Sequence, residues 1–269
     1  MTHDEKYLRL REYINSLGSV AIAFSGGVDS TLLLKAAREV LGNKAVAITA
    51  RAYSFPVKDA NEAKAFCESE NIKHVICEID QLGIDGFKYN PEDRCYRCKK
   101  ELFNNLISAA KKEGIENVAE GSHLDDDGDY RPGRAAIAEL KILSPFRFAE
   151  MNKNDIRAIA KELGLVSWDK PASCCLVTRF PYGEELTEEK IDMVRGAERV
   201  LYDLGFGRAR VRYHGDVARI ECGEDGFKML SDKKIREKIH GAFKKIGFTY
   251  AATDILGYRT GSMNETLGS

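Results

Sequence analysis

The chain has 269 residues, 43% apolar and 31% charged, with a net charge of -1, which is long enough for one large or two smaller cores. That balance supplies no overall basic field for nucleic acid, and no apolar run reaches the length of a membrane span. The charged opening Met1–Lys6 lacks the apolar stretch of a secretory leader. A cytoplasmic location is therefore expected, where seven cysteines suit metal, cluster or catalytic use better than disulfides.

Residues 4–17 carry the spacing of an amphipathic helix, with Leu8, Leu10, Ile14 and Leu17 on its apolar face. Val20 to Phe24 is a short apolar run, as in a buried strand. Ser25-Gly26-Gly27 breaks it, and Leu32, Leu33, Ala36, Ala37 and Val40 then fall at helical spacing. A strand, a glycine turn and a helix N-terminus make an anion site, because unpaired N–H groups and the helix dipole favour negative charge there. The paired glycines let the backbone approach the ligand, and Ser25, Ser30 and Thr31 add hydroxyl donors. No Walker-type lysine is present. Asp29 stands in the turn instead, and its charge makes sense beside phosphate when a metal ion bridges the two. The string Ser-Gly-Gly-Val-Asp-Ser at 25–30 resembles the pyrophosphate loop (PP-loop) of the adenine-nucleotide alpha-hydrolase-like enzymes. The resemblance implies ATP bound with Mg2+ at Ser25, Gly26, Gly27, Asp29, Ser30 and Thr31.

Ala45–Thr49 and His74–Ile79 are expected as further strands flanking a helix over 57–71, with the backbone near Thr49 to Ala52 as a candidate adenine contact. Cys67 and Cys77 fall inside these elements and read as small core residues. Pro91 can open a helix that carries Cys95 and Cys98 one turn apart. This Cys-x-x-Cys pair suits half a zinc site, a redox dithiol or two ligands of an iron–sulfur cluster, and spacing alone does not choose among them. Val118–Glu120 ends another strand before the acidic run Asp125, Asp126, Asp127, Asp129, which suits either a solvated loop or a handle for magnesium and nucleotide. Lys141–Phe146 is read as a strand, and 152–163 as a capped helix stopped by Gly164. The aperiodic stretch 167–183 has loop character and holds Trp168 and the adjacent Cys174 and Cys175. From Glu184 the pattern becomes α+β: a helix over 188–204, paired strands at 208–213 and 216–222, a helix over 232–246 and a closing strand at 248–255. Arg210 and Arg212 share one strand face, which is either solvated or an anion clamp. The fold expected is α/β, a parallel-sheet PP-loop ATP pyrophosphatase domain over 1–183 with a smaller α+β domain over 184–269 for substrate binding or oligomerisation.

Several separated strings extend the likeness: Asp129-Tyr130-Arg131-Pro132-Gly133, Ala172-Ser173-Cys174, Thr178-Arg179-Phe180-Pro181-Tyr182-Gly183, Arg210-Val211-Arg212, and Gly257-Tyr258-Arg259-Thr260-Gly261-Ser262-Met263-Asn264. Together they resemble the LarE sulfur transferases, which build the nickel-pincer nucleotide cofactor of lactate racemase. The resemblance covers nearly the whole chain. It implies that a carboxylate of pyridinium-3,5-biscarboxylic acid mononucleotide is adenylated by ATP with release of pyrophosphate, and that sulfur then displaces AMP to give a thiocarboxylate. It makes Cys174 the sulfur-bearing residue. Cys95 and Cys98 depart from the single-cysteine members, whose cysteine gives up its own sulfur. They match the three-cysteine branch, in which Cys95, Cys98 and Cys174 hold a [4Fe–4S] cluster. Cys175 is the alternative third ligand, and sulfur from the cluster or from Cys174 itself both stay open. The same resemblance gives Thr178, Arg179, Arg210 and Arg212 to the substrate phosphate and Glu198 and Glu221 to an additional metal. It also implies homo-oligomers of hexamer size and partners in the same cofactor pathway. The competing readings are a tRNA-thiolating PP-loop enzyme, an ammonia-using synthetase, and a non-catalytic ATP- or cluster-binding module.

Overall fold

Alternation along the first two strands sorts their side chains to opposite faces of a sheet. Val20, Ile22, Ala45 and Ala47 pack into one core and Ala21, Val46 and Ile48 into another, as a parallel sheet covered on both faces requires. The structure, a computed structural model, describes all residues except 56, 129–132, 172–173 and 269, and the side chains of all these except 57–60, 127–128 and 268. The Asp129–Pro132 part of the Asp129–Gly133 string, the Asp127 side chain and Ala172-Ser173 therefore lie outside the described residues. The chain divides into two units, Met1–Ile84 with Asp93–Ser173, and Asp85–Glu92 with Cys174–Ser269. Residues 174–183, expected at the end of the first domain, belong to the second unit.

In the first unit α1 (His3–Ser16), β1 (Val20–Ala23), α2 (Val28–Leu41), β2 (Ala45–Ala52), α3 (Val57–Ser69), β3 (Lys73–Ile79), α4 (Arg94–Lys112), β4 (Val118–Ala119), α5 (Gly133–Glu139), α6 (Pro145–Phe148) and α7 (Lys153–Glu162) follow in order. The four strands form one sheet in the order β3-β2-β1-β4, and all pairs are parallel. Leu10 and Ile14 of α1, Leu32, Leu33 and Ala36 of α2, and Ile156 and Ile159 of α7 cover one face. Phe103, Leu106 and Ala110 of α4 with Ile137 of α5 cover the other. Two expectations need correction. Lys141–Phe146 is not a strand: only Leu143 bridges to Ala119, and Pro145 takes the first turn of α6, where its missing N–H costs nothing. Pro91 does not open α4, which starts at Arg94 behind Asp93.

The second unit contains α8 (Glu188–Asp203), β5 (Ala209–His214), β6 (Val217–Cys222), α9 (Glu224–Ser231), α10 (Lys233–Ile246) and β7 (Tyr250–Thr253). Its sheet runs β5-β6-β7. The β5–β6 hairpin turns through Gly215 with φ +61°, a left-handed conformation that glycine reaches without strain. The excursion 85–92 belongs to this unit by bonding as well as by packing. Asn90 Nδ2 donates to the carbonyls of Phe180 (3.3 Å) and Pro181 (2.5 Å), and the N–H groups of Gly183 and Leu186 donate to Asn90 O (3.1 Å) and Lys88 O (2.7 Å). Among the described residues, no helix is long and apolar enough to cross a membrane.

Candidate active site

The chain runs outward from β1 through β2 to β3, then returns to the other side of β1 for β4. The switch point thus lies between β1 and β4, and open parallel sheets bind ligands beyond the carboxyl ends of the strands at that point. The loop after β1 is Phe24–Gly27. Gly26 turns it with φ +73°. Gly27 begins α2 in extended conformation with no side-chain cap, so the first-turn N–H groups have no side-chain acceptor and suit an anion. The hydroxyls expected as donors mostly brace the loop instead. Ser30 Oγ and Thr31 Oγ1 donate to Gly27 O at 3.2 and 2.8 Å, and Ser25 N donates to Ser30 Oγ at 3.2 Å. Ser25 itself is exposed.

The loop after β4 comes close to this turn. A Cβ on Gly121 would lie 3.0 Å from Asp29 Cβ and 3.3 Å from Ser30 N, so a side chain there would press on the start of α2. Its position is fixed by buried Glu120, which accepts from Ser122 N (3.0 Å), Ser122 Oγ (2.6 Å) and Ser144 Oγ (2.6 Å). On the β2 side, Thr49 Oγ1 donates to Phe24 O at 2.7 Å and meets His74 Nε2 at 2.7 Å. With its proton on Phe24 O, the threonine oxygen accepts from His74, which is therefore protonated on Nε2. Burial holds the pKa of this histidine below the ordinary imidazole value.

Two lysines from distant parts of the unit reach the same turn. Lys153, the first residue of α7, donates from Nζ to both carboxylate oxygens of Asp29 at 2.6 and 2.7 Å. Its backbone N–H donates to Asp125 Oδ2 at 2.8 Å. Lys170 Nζ donates to Gly26 O at 3.3 Å and to Glu62 at 2.6 Å. Trp168 precedes Lys170 on a partly exposed turn, with the Lys161 ammonium 4.8 Å from the indole centroid. Of the acidic run, Asp125 accepts from the backbone of α7 at Lys153 N and Asp126 from His123 N at 3.0 Å.

The cysteines separate by environment. Cys67 is buried, and burial pushes its thiol up to about 12. Burial also raises half-buried Cys77 and buried Cys222, which favours the thiol over the nucleophilic thiolate in each. Cys95 and Cys98 lie in the first turns of α4, Cys95 exposed and Cys98 buried. Cys98 Sγ accepts from Gln81 Nε2 at 3.2 Å, and Gln81 Oε1 accepts from Ser54 Oγ at 2.5 Å, all three residues being buried. Gly133 abuts this turn: a Cβ there would stand 3.2 Å from Cys95 O and 2.6 Å from Lys99 Cδ. In the second unit Cys174 is exposed and Cys175 half-buried.

The arginines and acids singled out from sequence gather within the second unit. Arg179 forms a two-point pair with Glu198 (2.8 and 3.2 Å) and donates to Thr178 Oγ1 at 2.7 Å. Burial lowers its pKa but the Glu198 carboxylate more than offsets that, so the guanidinium stays charged. Glu198 also accepts from Val211 N at 3.1 Å. Arg212 donates to Thr178 O (3.1 Å), to Glu221 (2.6 Å) and to Ser262 Oγ (3.1 Å). Arg219 reaches the other Glu221 oxygen at 3.3 Å. Glu198 and Glu221 thus hold guanidinium groups. Arg210 instead stacks over Tyr258 at 5.6 Å, with Arg208 at 5.2 Å from the same ring. Tyr182 donates to Asn264 at 3.0 Å. The strings at 178–183, 210–212 and 257–264 therefore meet in one place although up to some eighty residues of chain separate them.

Sequence reading missed Lys153, Gln81 and Gly121, which only the topology brings to the loops. The signal for Lys153 was a cation at a helix N-terminus, where the dipole disfavours it. A four-stranded parallel sheet with Ser-Gly-Gly-Val-Asp-Ser at its switch point defines a PP-loop, ATP-using enzyme. No protein-family profile matches the chain. It is 39% identical to the pyridinium-3,5-bisthiocarboxylic acid mononucleotide synthase of Lactiplantibacillus plantarum, over 94% of this chain and 92% of that one. More distant likenesses are to a glutamine-hydrolyzing GMP synthase component of Thermoplasma volcanium, 27% identical over 75% of this chain and 69% of that one, and to the tRNA-specific 2-thiouridylase MnmA of Methylorubrum populi, 27% identical over 76% and 62%. The chain belongs to the family of pyridinium-3,5-bisthiocarboxylic acid mononucleotide synthases.

Proposed function

We propose that this chain is an ATP-dependent sulfur transferase that converts a carboxylate of pyridinium-3,5-biscarboxylic acid mononucleotide to a thiocarboxylate. The observation that carries the ATP-using half is the uncapped start of α2 at the sheet's switch point. Its first-turn N–H groups hold polyphosphate, and Asp29 offers the hard oxygen ligand that Mg2+ prefers. A magnesium ion arriving with ATP supplies charge neutralisation at the departing pyrophosphate. A substrate carboxylate oxygen forms a bond to the α-phosphorus as the bond from that phosphorus to pyrophosphate breaks. A sulfur nucleophile then adds to the acyl carbon, and the C–O bond breaks with its electron pair leaving on AMP. Adenylation is needed because a bare carboxylate has no leaving group, whereas AMP is a competent one.

For the sulfur we favour the three-cysteine arrangement, with Cys95, Cys98 and Cys174 as ligands of a [4Fe–4S] cluster that would supply transferable sulfur. Support comes from Cys95 and Cys98 on one helical face and from the N–H···S contact of Gln81, a hydrogen bond of the kind that tunes cluster sulfurs. Thr178, Arg179, Arg210 and Arg212 are proposed to meet the substrate phosphate, with Arg210 the least engaged in ion pairs. Glu198 and Glu221 would serve a metal only by giving up the arginines they hold. A homo-oligomer and a cytoplasmic setting complete the reading.

The test is anaerobic turnover with ATP, Mg2+ and the biscarboxylic acid nucleotide. Pyrophosphate release that depends on the nucleotide acid, with a thiocarboxylate product by mass spectrometry, is expected. Release without nucleotide acid, or with tRNA alone, would refute it. Iron and sulfide bound by the wild type and lost in Cys95→Ala, with pyrophosphate release intact, support the cluster. Loss of sulfur from Cys174 in a protein without iron supports sacrifice of that residue.

A further inference from the structure

We propose that Lys153 is the polyphosphate-binding cation of the ATP site, delivered from α7 because the loop's own sequence carries none. The inference rests on the ATP-using reading above. Its ammonium holds both Asp29 oxygens at 2.6 and 2.7 Å, at the turn where the phosphates are to bind. The residue stands at the first position of α7, where a helix dipole repels a cation, so local helix stability does not explain it. Its backbone is pinned on both sides, by the Asn152–Asp155 capping box and by Asp125. Both side chains keep about a quarter of their surface, 27% for Lys153 and 28% for Asp29, so the pair opens to solvent and can exchange partners. In the chain without nucleotide, Lys153 neutralises Asp29 beside the helix start. When ATP arrives with its divalent cation, the metal takes the Asp29 carboxylate and the freed ammonium turns to a phosphate oxygen, so that both the ammonium and the Asp29 carboxylate keep a partner of opposite charge in each state. Lys170, on Gly26 O and Glu62, steadies the loop from the other side.

Calorimetric titration of the full chain with MgATP and with adenosine tests this. Lys153→Met should weaken MgATP by roughly 10- to 100-fold, as expected for one charge-assisted hydrogen bond, and leave adenosine unchanged. Lys153→Arg should recover most of the loss. Asp29→Asn should strengthen binding of ATP in metal-free buffer by releasing the ammonium, a gain that Lys153→Met added to it removes. Unchanged MgATP affinity in Lys153→Met, equal losses for ATP and adenosine, or weaker metal-free binding in Asp29→Asn would each overturn the assignment. A wild type that binds no ATP would instead refute the ATP-using reading itself. If Lys153→Met fails to fold, Lys153→Arg and Asp29→Asn decide the matter.

Discussion

Glu221 has no exposed surface and holds Arg212, Arg219 and Ser262. Deleting one member of a buried ionic group leaves the others charged and unsolvated, a loss of about 3–5 kcal/mol. Glu221→Leu should therefore lower the unfolding free energy of the second unit, read from urea denaturation, by that order, and Arg212→Met in the same chain should return part of it. Gln81 is a gentler case. Gln81→Leu takes the middle link from the Ser54–Gln81–Cys98 chain and should cost about 1–3 kcal/mol by chemical denaturation. His74 gives a pH signature. Burial lowers its pKa from 6.5, with Glu68 raising it and Lys64 lowering it in smaller measure. The folded state then binds fewer protons than the unfolded one between the lowered value and 6.5, so its contribution is complete above that window and declines as pH falls through it. Melting temperature should fall on acidification below about 6.5, and His74→Gln, which keeps a donor for Thr49, should flatten that limb.

At the level of elements, the approach of the β4 loop to α2 sets the loop's geometry. Gly121→Ala would place a methyl group 3.0 Å from Asp29 Cβ and move the helix start by a few tenths of an ångström. Misplacement by about 1 Å costs on the order of 100-fold at a reacting site, so a loss of roughly tenfold in MgATP affinity is expected, with little change in melting temperature. The same elements show what the sequence made legible. β1, the glycine turn and α2 were readable because they are contiguous and their periods are strong. α9 passed unnoticed because its 8 residues are too few to establish a helical period. The run 141–146 imitates a strand because its apolar residues pack on β4 and α5 without forming a ladder. Within the site, the PP-loop was visible as a string. Lys153, Gln81 and Gly121 were not, since their roles exist only after the sheet has brought distant loops together.

Across the whole chain, the second unit is discontinuous in sequence. Phe87 is buried and Asn90 bonds to the 180–186 segment, so 174–269 lacks a piece of its own interior. Expressed alone, that fragment should show a non-cooperative melt. Joined by a linker to residues 85–92 it should unfold cooperatively, as circular dichroism would show, and a cooperative melt of 174–269 alone would contradict this. The arrangement also explains why the sequence suggested a boundary near 183: the composition changes there, while the contacts that define the units depend on a ribbon from much earlier in the chain.

The chain holds one tryptophan, Trp168, on the turn that leads to Lys170 and so to the carbonyl of Gly26. With a single indole, emission excited at the red edge of the indole band, beyond tyrosine absorption, reports on that turn. A change in that emission on adding MgATP is the outcome expected from the proposed site, readable in a cuvette without dye, label or coupled assay.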